Sequence, residues 1–248
     1  MKKLPYLNRP KRISSMKNIV LASTSTLYGE TYLAYLQPLI KELFAEAGEV
    51  IFIPYARPGG ISHDEYTATA AAAFAAVNIP VRGLHTFANA AEAIQQGKAF
   101  FTGGGNTFLL VKQLHELGLM KVLADAVSGG KPYLGTSAGS NIGGVNMQTT
   151  NDMPIVYPPS FDTMGLVPFN LNPHYLDPIP DLPHMGETRE TRIKEFHTQQ
   201  QVPVVGLREG GWIRVKEGRM TLEGAPSARI FLPGKTPYEL KSGEEIVF

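Results

Sequence analysis

Gly135-Thr136-Ser137-Ala138-Gly139 sets a serine between two glycines in the order G-x-S-x-G. Tyr133-Leu134 before it is strand-like, and Ser140-Asn141-Ile142-Gly143-Gly144 after it is a run of small residues. A strand that enters a tight turn and leaves through small residues is the setting of a nucleophile elbow. Its hydroxyl stands exposed on a strained turn, and the glycines leave room for the backbone and for substrate. The plainer account is a strand-to-helix turn that happens to hold a serine, and the flanking segments favour the elbow.

A serine hydroxyl is a weak nucleophile at neutral pH and needs a base beside it. Of the six histidines, His63, His85, His115 and His197 fall in or near regular elements, where a surface or satisfied-core role is expected. His174 stands apart in Asn170-Leu171-Asn172-Pro173-His174-Tyr175, where Pro173 restricts how the chain approaches it. His184 is a weaker rival in a proline-bounded loop. The base in turn needs an orienting carboxylate. Asp152, in Thr149-Thr150-Asn151-Asp152-Met153-Pro154, and Glu209, in Gly206-Leu207-Arg208-Glu209-Gly210-Gly211-Trp212, both qualify. Spacing does not choose between them, because such triads assemble from unrelated chain positions.

Acyl transfer also needs donors for the developing oxyanion. Gly103-Gly104-Gly105-Asn106-Thr107 follows a strand and opens a helix, so the N–H groups of Gly104 and Gly105 can converge with that of Ala138. The same glycines could cradle a phosphate. They lack both the G-K-[ST] ending of a P-loop and the G-x-G-x-x-G of a dinucleotide site, so nucleotide binding is not expected.

These residues need a scaffold. Ile19–Ala22, Val50–Ile53, Val81–Leu84, Ala99–Thr102 and Tyr133–Gly135 read as short buried strands. Between them, helical spacing runs through Tyr32–Phe44, a helix capped by Asp64 reaches about Val77, and Ala90–Gln96, Thr107–His115 and Leu119–Val127 follow. Strand and helix in alternation predict an α/β fold, with a mostly parallel sheet covered by helices on both faces. Val202–Leu207 reads as one more buried strand. Turn signals from Trp212 onward predict C-terminal hairpins, with Ile213–Val215, Arg229–Leu232 and Glu244–Phe248 as strand segments. No linker or internal repeat divides the 248 residues, so 16–248 is expected to be a single α/β domain.

The net charge of +1 gives no electrostatic footprint for nucleic acid or a membrane surface. No stretch is long and apolar enough for a membrane span. The absence of cysteine removes disulfides, thiolate zinc sites and cysteine nucleophiles together, and suits a cytoplasmic protein. Residues 1–15 are basic, with no apolar run behind the charges, and are expected to be a loosely ordered extension rather than a signal peptide.

Taken together and in order, several of these blocks resemble the peptidase E (α-aspartyl dipeptidase) family of serine peptidases. They are Gly103-Gly104-Gly105-Asn106-Thr107-Phe108, Gly135 to Asn141, Thr149 to Val156, Asn172-Pro173-His174 and Gly186-Glu187-Thr188-Arg189-Glu190. The resemblance runs from about Asn18 to Trp212 and more loosely to the C-terminus. It implies a class I glutamine amidotransferase-like (flavodoxin-like) fold and hydrolysis of dipeptides with an N-terminal aspartate, without metal or other cofactor. By the resemblance Ser137 is the nucleophile, His174 the base and Asp152 the acid, with Glu209 the competing third member.

A substrate aspartate needs a cation. Arg189 is the candidate, because a guanidinium matches a carboxylate in a two-bond fork. Asn106 is placed with it as a second substrate contact. The plainer account of Arg189 is an exposed helix residue paired with Glu187 or Glu190. Partners are expected to be small dipeptides, the assembly a monomer or a homodimer. The rival functions are a cyanophycinase-like hydrolase of β-linked aspartyl bonds and an idle binding protein on the same scaffold. Thr136 stands where some relatives carry tryptophan, and the loop from Tyr175 to Met185 is slightly longer than in some relatives.

Overall fold

The computed structural model describes residues 16–178 and 186–248. The N-terminal extension and His184 therefore lie outside the described residues, as does part of the loop that runs from Tyr175 to Met185. The first five strands are β1 (Ile19–Ala22), β2 (Val50–Ile53), β3 (Val81–Gly83), β4 (Phe100–Thr102) and β5 (Tyr133–Thr136). They pair in parallel in the order β3-β2-β4-β5-β1. Helices α1 (Gln37–Leu43), α2 (His63–Ala75), α3 (Ala90–Gln96), α4 (Thr107–Glu116), α5 (Leu119–Ser128) and the short α6 (Ala138–Asn141) connect and cover them.

The strands β1, β2, β4 and β5 are buried along their whole length, as expected of a parallel sheet clad on both faces. Successive residues point to opposite sides, and the core divides accordingly. Val20, Ala22, Val50, Phe52, Phe101 and Leu134 pack with Leu36, Ile40, Leu43, Tyr66 and Phe74 on the α1–α2 face. Ile19, Leu21, Ile51, Ile53, Phe100 and Tyr133 pack with Ile94, Leu110, Leu114, Leu123 and Val127 on the α3–α4–α5 face.

Two helix starts differ from the sequence expectation. Ser62, not Asp64, caps α2, in a reciprocal pair with Glu65: the Glu65 N–H donates to Ser62 Oγ at 3.1 Å and the Ser62 N–H donates to Glu65 Oε2 at 2.6 Å. Segment 32–44 is not one helix. Leu33 takes a left-handed φ of 59°, a 3-10 turn covers Ala34–Leu36, and Pro38 then sits in the first turn of α1, where its missing N–H costs nothing.

The later strands are β6 (Asn170–Pro173), β7 (Val204–Leu207), β8 (Gly211–Lys216), β9 (Arg219–Gly224), β10 (Ala228–Phe231) and β11 (Tyr238–Leu240). The β8–β9 hairpin adds antiparallel to β1 and completes a seven-stranded sheet. The other four form a second sheet, in the order β11-β10-β7-β6, with β6 parallel to β7. Helix α7 (Arg189–Gln199) lays Ile193 and Phe196 against Tyr175, Val204 and Phe231 of this sheet. The C-terminal segment 244–248 forms no strand and makes a single bridge, Thr221 to Glu245; the last strand is Tyr238–Leu240. Among the described residues no helix is long and apolar enough to cross a membrane.

Candidate active site

Ser137 follows β5 directly, with φ 52° and ψ −111°, and α6 starts at the next residue. The two glycines of the elbow are required by close approach. A Cβ at Gly139 would run into the Thr102 carbonyl of β4, and one at Gly135 into the Gly139 carbonyl. The turn is then tied down. The Ser137 N–H donates to the Ala22 carbonyl at the end of β1 (3.1 Å). The Tyr133 hydroxyl donates to the Gly139 carbonyl (2.7 Å), and burial pushes that phenol well up. Ser140 shares its one hydroxyl proton between the carbonyls of Ala22 (2.7 Å) and Gly135 (2.8 Å). A nucleophile in an unfavourable backbone conformation persists only where its surroundings over-determine it.

His174 comes from the other sheet, one residue past β6 and also at positive φ, 52°. Its Nε2 lies 3.0 Å from Ser137 Oγ and its Nδ1 lies 2.6 Å from Glu209 Oε1. An ionised carboxylate only accepts, so Nδ1 carries the proton and Nε2 is free to accept from the serine hydroxyl. Pro173 and Leu207 are paired across β6 and β7, which brings the residues that follow the two strands side by side. Pro173 costs the ladder nothing because β6 is an edge strand.

Asp152 is not beside His174. Its Oδ2 accepts from the Thr107 N–H at the start of α4 (2.7 Å) and from the Thr150 hydroxyl (3.0 Å). The carboxylate satisfies an orphan donor of that helix and faces the positive end of its dipole. The preference for Asp152 as the acid therefore does not match the geometry, which sets Glu209 against the imidazole. The segment around Asp152 instead straps the free edge of β6. Thr149 Oγ1 donates to the Leu171 carbonyl, Asn151 Nδ2 to the Pro173 carbonyl, and Asn172 Nδ2 to Thr149 O and Asn151 Oδ1, all within 2.8 Å.

Ser23 is a contributor that its sequence context, a Ser-Thr-Ser-Thr run after β1, does not single out. It is fully buried. Its hydroxyl accepts from the His174 N–H (2.9 Å) and donates to the Leu207 carbonyl (2.7 Å). One side chain just past β1 thus holds the backbone from which both His174 and Glu209 hang.

The glycine loop after β4 lies alongside. A Cβ at Gly104 would stand 3.1 Å from Ser137 Cβ. Among the described residues no acceptor takes the N–H of Gly104, Gly105 or Ala138. Asn106 is engaged elsewhere than the substrate contact expected of it. Its Oδ1 accepts from the Leu109 N–H as the cap of α4, and its Nδ2 donates to the Met153 carbonyl (2.9 Å). Arg189, half-buried in the first turn of α7, has no ion pair among the described residues. Glu190 is taken by Lys194 and Arg229, and Glu187 faces Arg192. Burial and the neighbouring Arg192 lower the guanidinium's proton affinity, and the charge of Asp152 opposes them.

The other described histidines are accounted for locally. His85 is bound to Asp64 and meets His63 edge-on, while His115 and His197 contact the Asp162 and Val202 carbonyls. Among the described residues no group of three or more acidic or histidine side chains is gathered as a metal site. A cavity of about 480 Å3 is lined by Gly48, Glu49, Asn89 and Lys98, among others. It lies at the N-terminal ends of β2 and β4, away from Ser137. Ligands of open α/β sheets bind at the opposite, carboxyl ends, where the site above is built.

Comparison with known proteins gives the family and the fold. The model of peptidase family S51 matches residues 19–223. A Streptomyces coelicolor protein named "Peptidase E" is 45% identical over 229 residues, 92% of this chain and 93% of that protein. A Drosophila melanogaster protein named "Probable alpha-aspartyl dipeptidase" is 41% identical over 239 residues, covering 95% and 98% of the two chains. The crystal structure of a peptidase from an acI-B1 actinobacterium shares the fold at a TM-score of 0.69 and 17% identity, over 94% of this chain and 97% of that one. The chain belongs to peptidase family S51.

Proposed function

We propose that this protein is a serine-type dipeptidase that cleaves dipeptides with an N-terminal aspartate. The observation that carries the proposal is the continuous run of hydrogen bonds from Ser137 Oγ through His174 to Glu209. The names of the relatives supply the substrate class. As the Ser137 oxygen bonds to the peptide carbonyl carbon, His174 Nε2 takes its proton, and Glu209 holds the imidazole in the required tautomer and stabilises the imidazolium. The N–H groups of Gly105 and Ala138, with Gly104 beside them, receive the negative charge on the carbonyl oxygen. The C–N bond then breaks, the His174 proton goes to the leaving amine, and water, activated by the same histidine, releases aspartate from Ser137.

Arg189 is the cation for the aspartyl side chain. Its guanidinium is partly desolvated and uncommitted, and a charged hydrogen bond there is worth about 1.5–3 kcal/mol. The test is hydrolysis of Asp-Leu against Glu-Leu, Asn-Leu and β-Asp-Leu, with Ser137→Ala as control. Cleavage of Asp-Leu that disappears with the mutation supports the proposal. Preferred cleavage of β-Asp-Leu would move the function to β-linked aspartyl peptides. No cleavage by folded protein, with Ser137 inert to a fluorophosphonate, would leave a binding protein.

A further inference from the structure

We infer that Tyr66 is a positioning residue of the oxyanion site: its hydroxyl fixes the Gly104–Gly105 peptide so that the Gly105 N–H faces the reacting carbonyl. The inference rests on the acyl-enzyme mechanism above and adds a residue of α2, far from the elbow in sequence. Tyr66 is 1% exposed, and its hydroxyl donates to the Gly104 carbonyl at 2.9 Å. A trans peptide is planar, and its C=O and the following N–H point in opposite directions. Binding the Gly104 oxygen on the α2 side therefore turns the Gly105 N–H to the other side, away from Tyr66.

The peptide has little freedom left. Gly105 has a φ of 145°, open only to glycine, and its Cα is pressed against Ala56 so closely that no Cβ would fit. The Asn106 N–H donates to the Ala56 carbonyl at 2.7 Å. The loop is thus held on one side by Tyr66 and on the other by Ala56. The donors left over are the N–H groups of Gly104 and Gly105, and Gly104 abuts Ser137.

Tyr66 is itself fixed. Phe52 meets its ring edge-on at 4.9 Å between centroids, and the Arg57 guanidinium lies 4.6 Å over the ring face. Gly103 leaves space for the hydroxyl, since a Cβ there would strike it. This is how a preorganised donor is made: the peptide dipole is set before charge develops and needs no reorganisation when it does.

The test is Tyr66→Phe, which keeps the ring packing and removes the hydroxyl. Loss of a direct oxyanion donor costs about 100- to 1,000-fold in kcat, so misplacing one should cost roughly 10- to 100-fold. That loss is expected in kcat for Asp-Leu, counted per titratable Ser137, with KM within about two-fold. The rate of fluorophosphonate labelling should fall in parallel, because the phosphoryl oxygen occupies the same site, while aspartate binding should not change. A kcat within about two-fold of wild type, or a loss confined to KM, overturns the inference.

If the Phe variant does not fold, 2,3-difluorotyrosine at position 66 keeps the hydroxyl and makes it more acidic. An alkaline fall in kcat displaced to lower pH is then expected, as the ionised phenol no longer donates, and an unchanged pH profile overturns the inference. Wild-type protein that neither cleaves Asp-Leu nor labels at Ser137 would instead count against the acyl-enzyme proposal itself.

Discussion

The two sheets contribute opposite halves of the site and are built on different principles. The seven-stranded sheet supplies Ser137 and the glycine loop from the ends of β5 and β4, where close backbone approach leaves no alternative to glycine. The four-stranded sheet supplies His174 and Glu209 from loops after β6 and β7, and side-chain hydrogen bonds hold them. A base must change partners during turnover, so it hangs from polar contacts. A nucleophile turn and its oxyanion donors must not move, so close packing adds to the hydrogen bonds that hold them. Ser23 joins the halves, and the Asp152 carboxylate bonds to the start of α4 rather than to the His174 imidazole.

The sharpest way to break this comparison is at its centre. Ser137→Ala should abolish Asp-Leu turnover, and His174→Ala should come within a few-fold of that, because members of a catalytic unit are not additive. Glu209→Gln should lower kcat by about 100- to 10,000-fold, since the imidazole loses its tautomer control. Arg189→Ala should reduce kcat/KM for Asp-Leu by about 10- to 100-fold, with thermal stability unchanged. Equal loss for every substrate through unfolding would remove it from the pocket.

Ser23→Ala orphans the His174 N–H and leaves the Leu207 carbonyl with the Tyr175 N–H alone. A drop of about ten-fold in kcat is expected, together with a destabilisation of about 1–3 kcal/mol read from urea unfolding. The smallest effect tests the periphery of the second half. Arg208, next to Glu209, binds both Asp177 and Glu239. The Arg208 hydrogen bond holds the Glu239 carboxyl below its usual range. A depressed carboxyl stabilises the fold above its unfolded value, roughly pH 4–4.5, and loses that contribution as pH falls. Glu239→Gln should therefore lower Tm by a degree or two at pH 7, with the gap closing on acidification.

The same contrast explains what was legible in the sequence. The strands of the parallel sheet are short, largely apolar runs closed by small polar residues, glycine or proline, so β1, β2, β4 and β5 and the elbow after β5 could be read locally. In the second sheet β7 and β10 could also be read this way, but β6 could not. Asn170-Leu171-Asn172-Pro173 carries one apolar residue in four, and its asparagines are buried with the Asn170 amide and the Asn172 Nδ2 bonded to the 146–151 strap. Residues 244–248 end in a strand-like Ile-Val-Phe run but find only one bridge. Asp64 is the expected cap of α2, yet Ser62 takes that place, because the reciprocal bond with Glu65 needs a three-residue spacing. Asp152 and Glu209 each sit in a loop beside a candidate base or nucleophile. Only the pairing of β6 with β7 brings Glu209 to His174, and strand pairing across more than thirty residues leaves no local trace.

The most direct test of the account is therefore the rate at which a small fluorophosphonate, carrying no aspartyl group, labels Ser137 in Glu209→Gln and in Asp152→Asn. Such a probe asks only how reactive the serine is and needs no substrate contacts. The account predicts labelling slowed about 100-fold or more in the Glu209 variant. It predicts a rate within about three-fold of wild type in the Asp152 variant, even if Asp-Leu hydrolysis suffers there through the start of α4 and Arg189. Labelling that collapses with Asp152 and survives without Glu209 would contradict it.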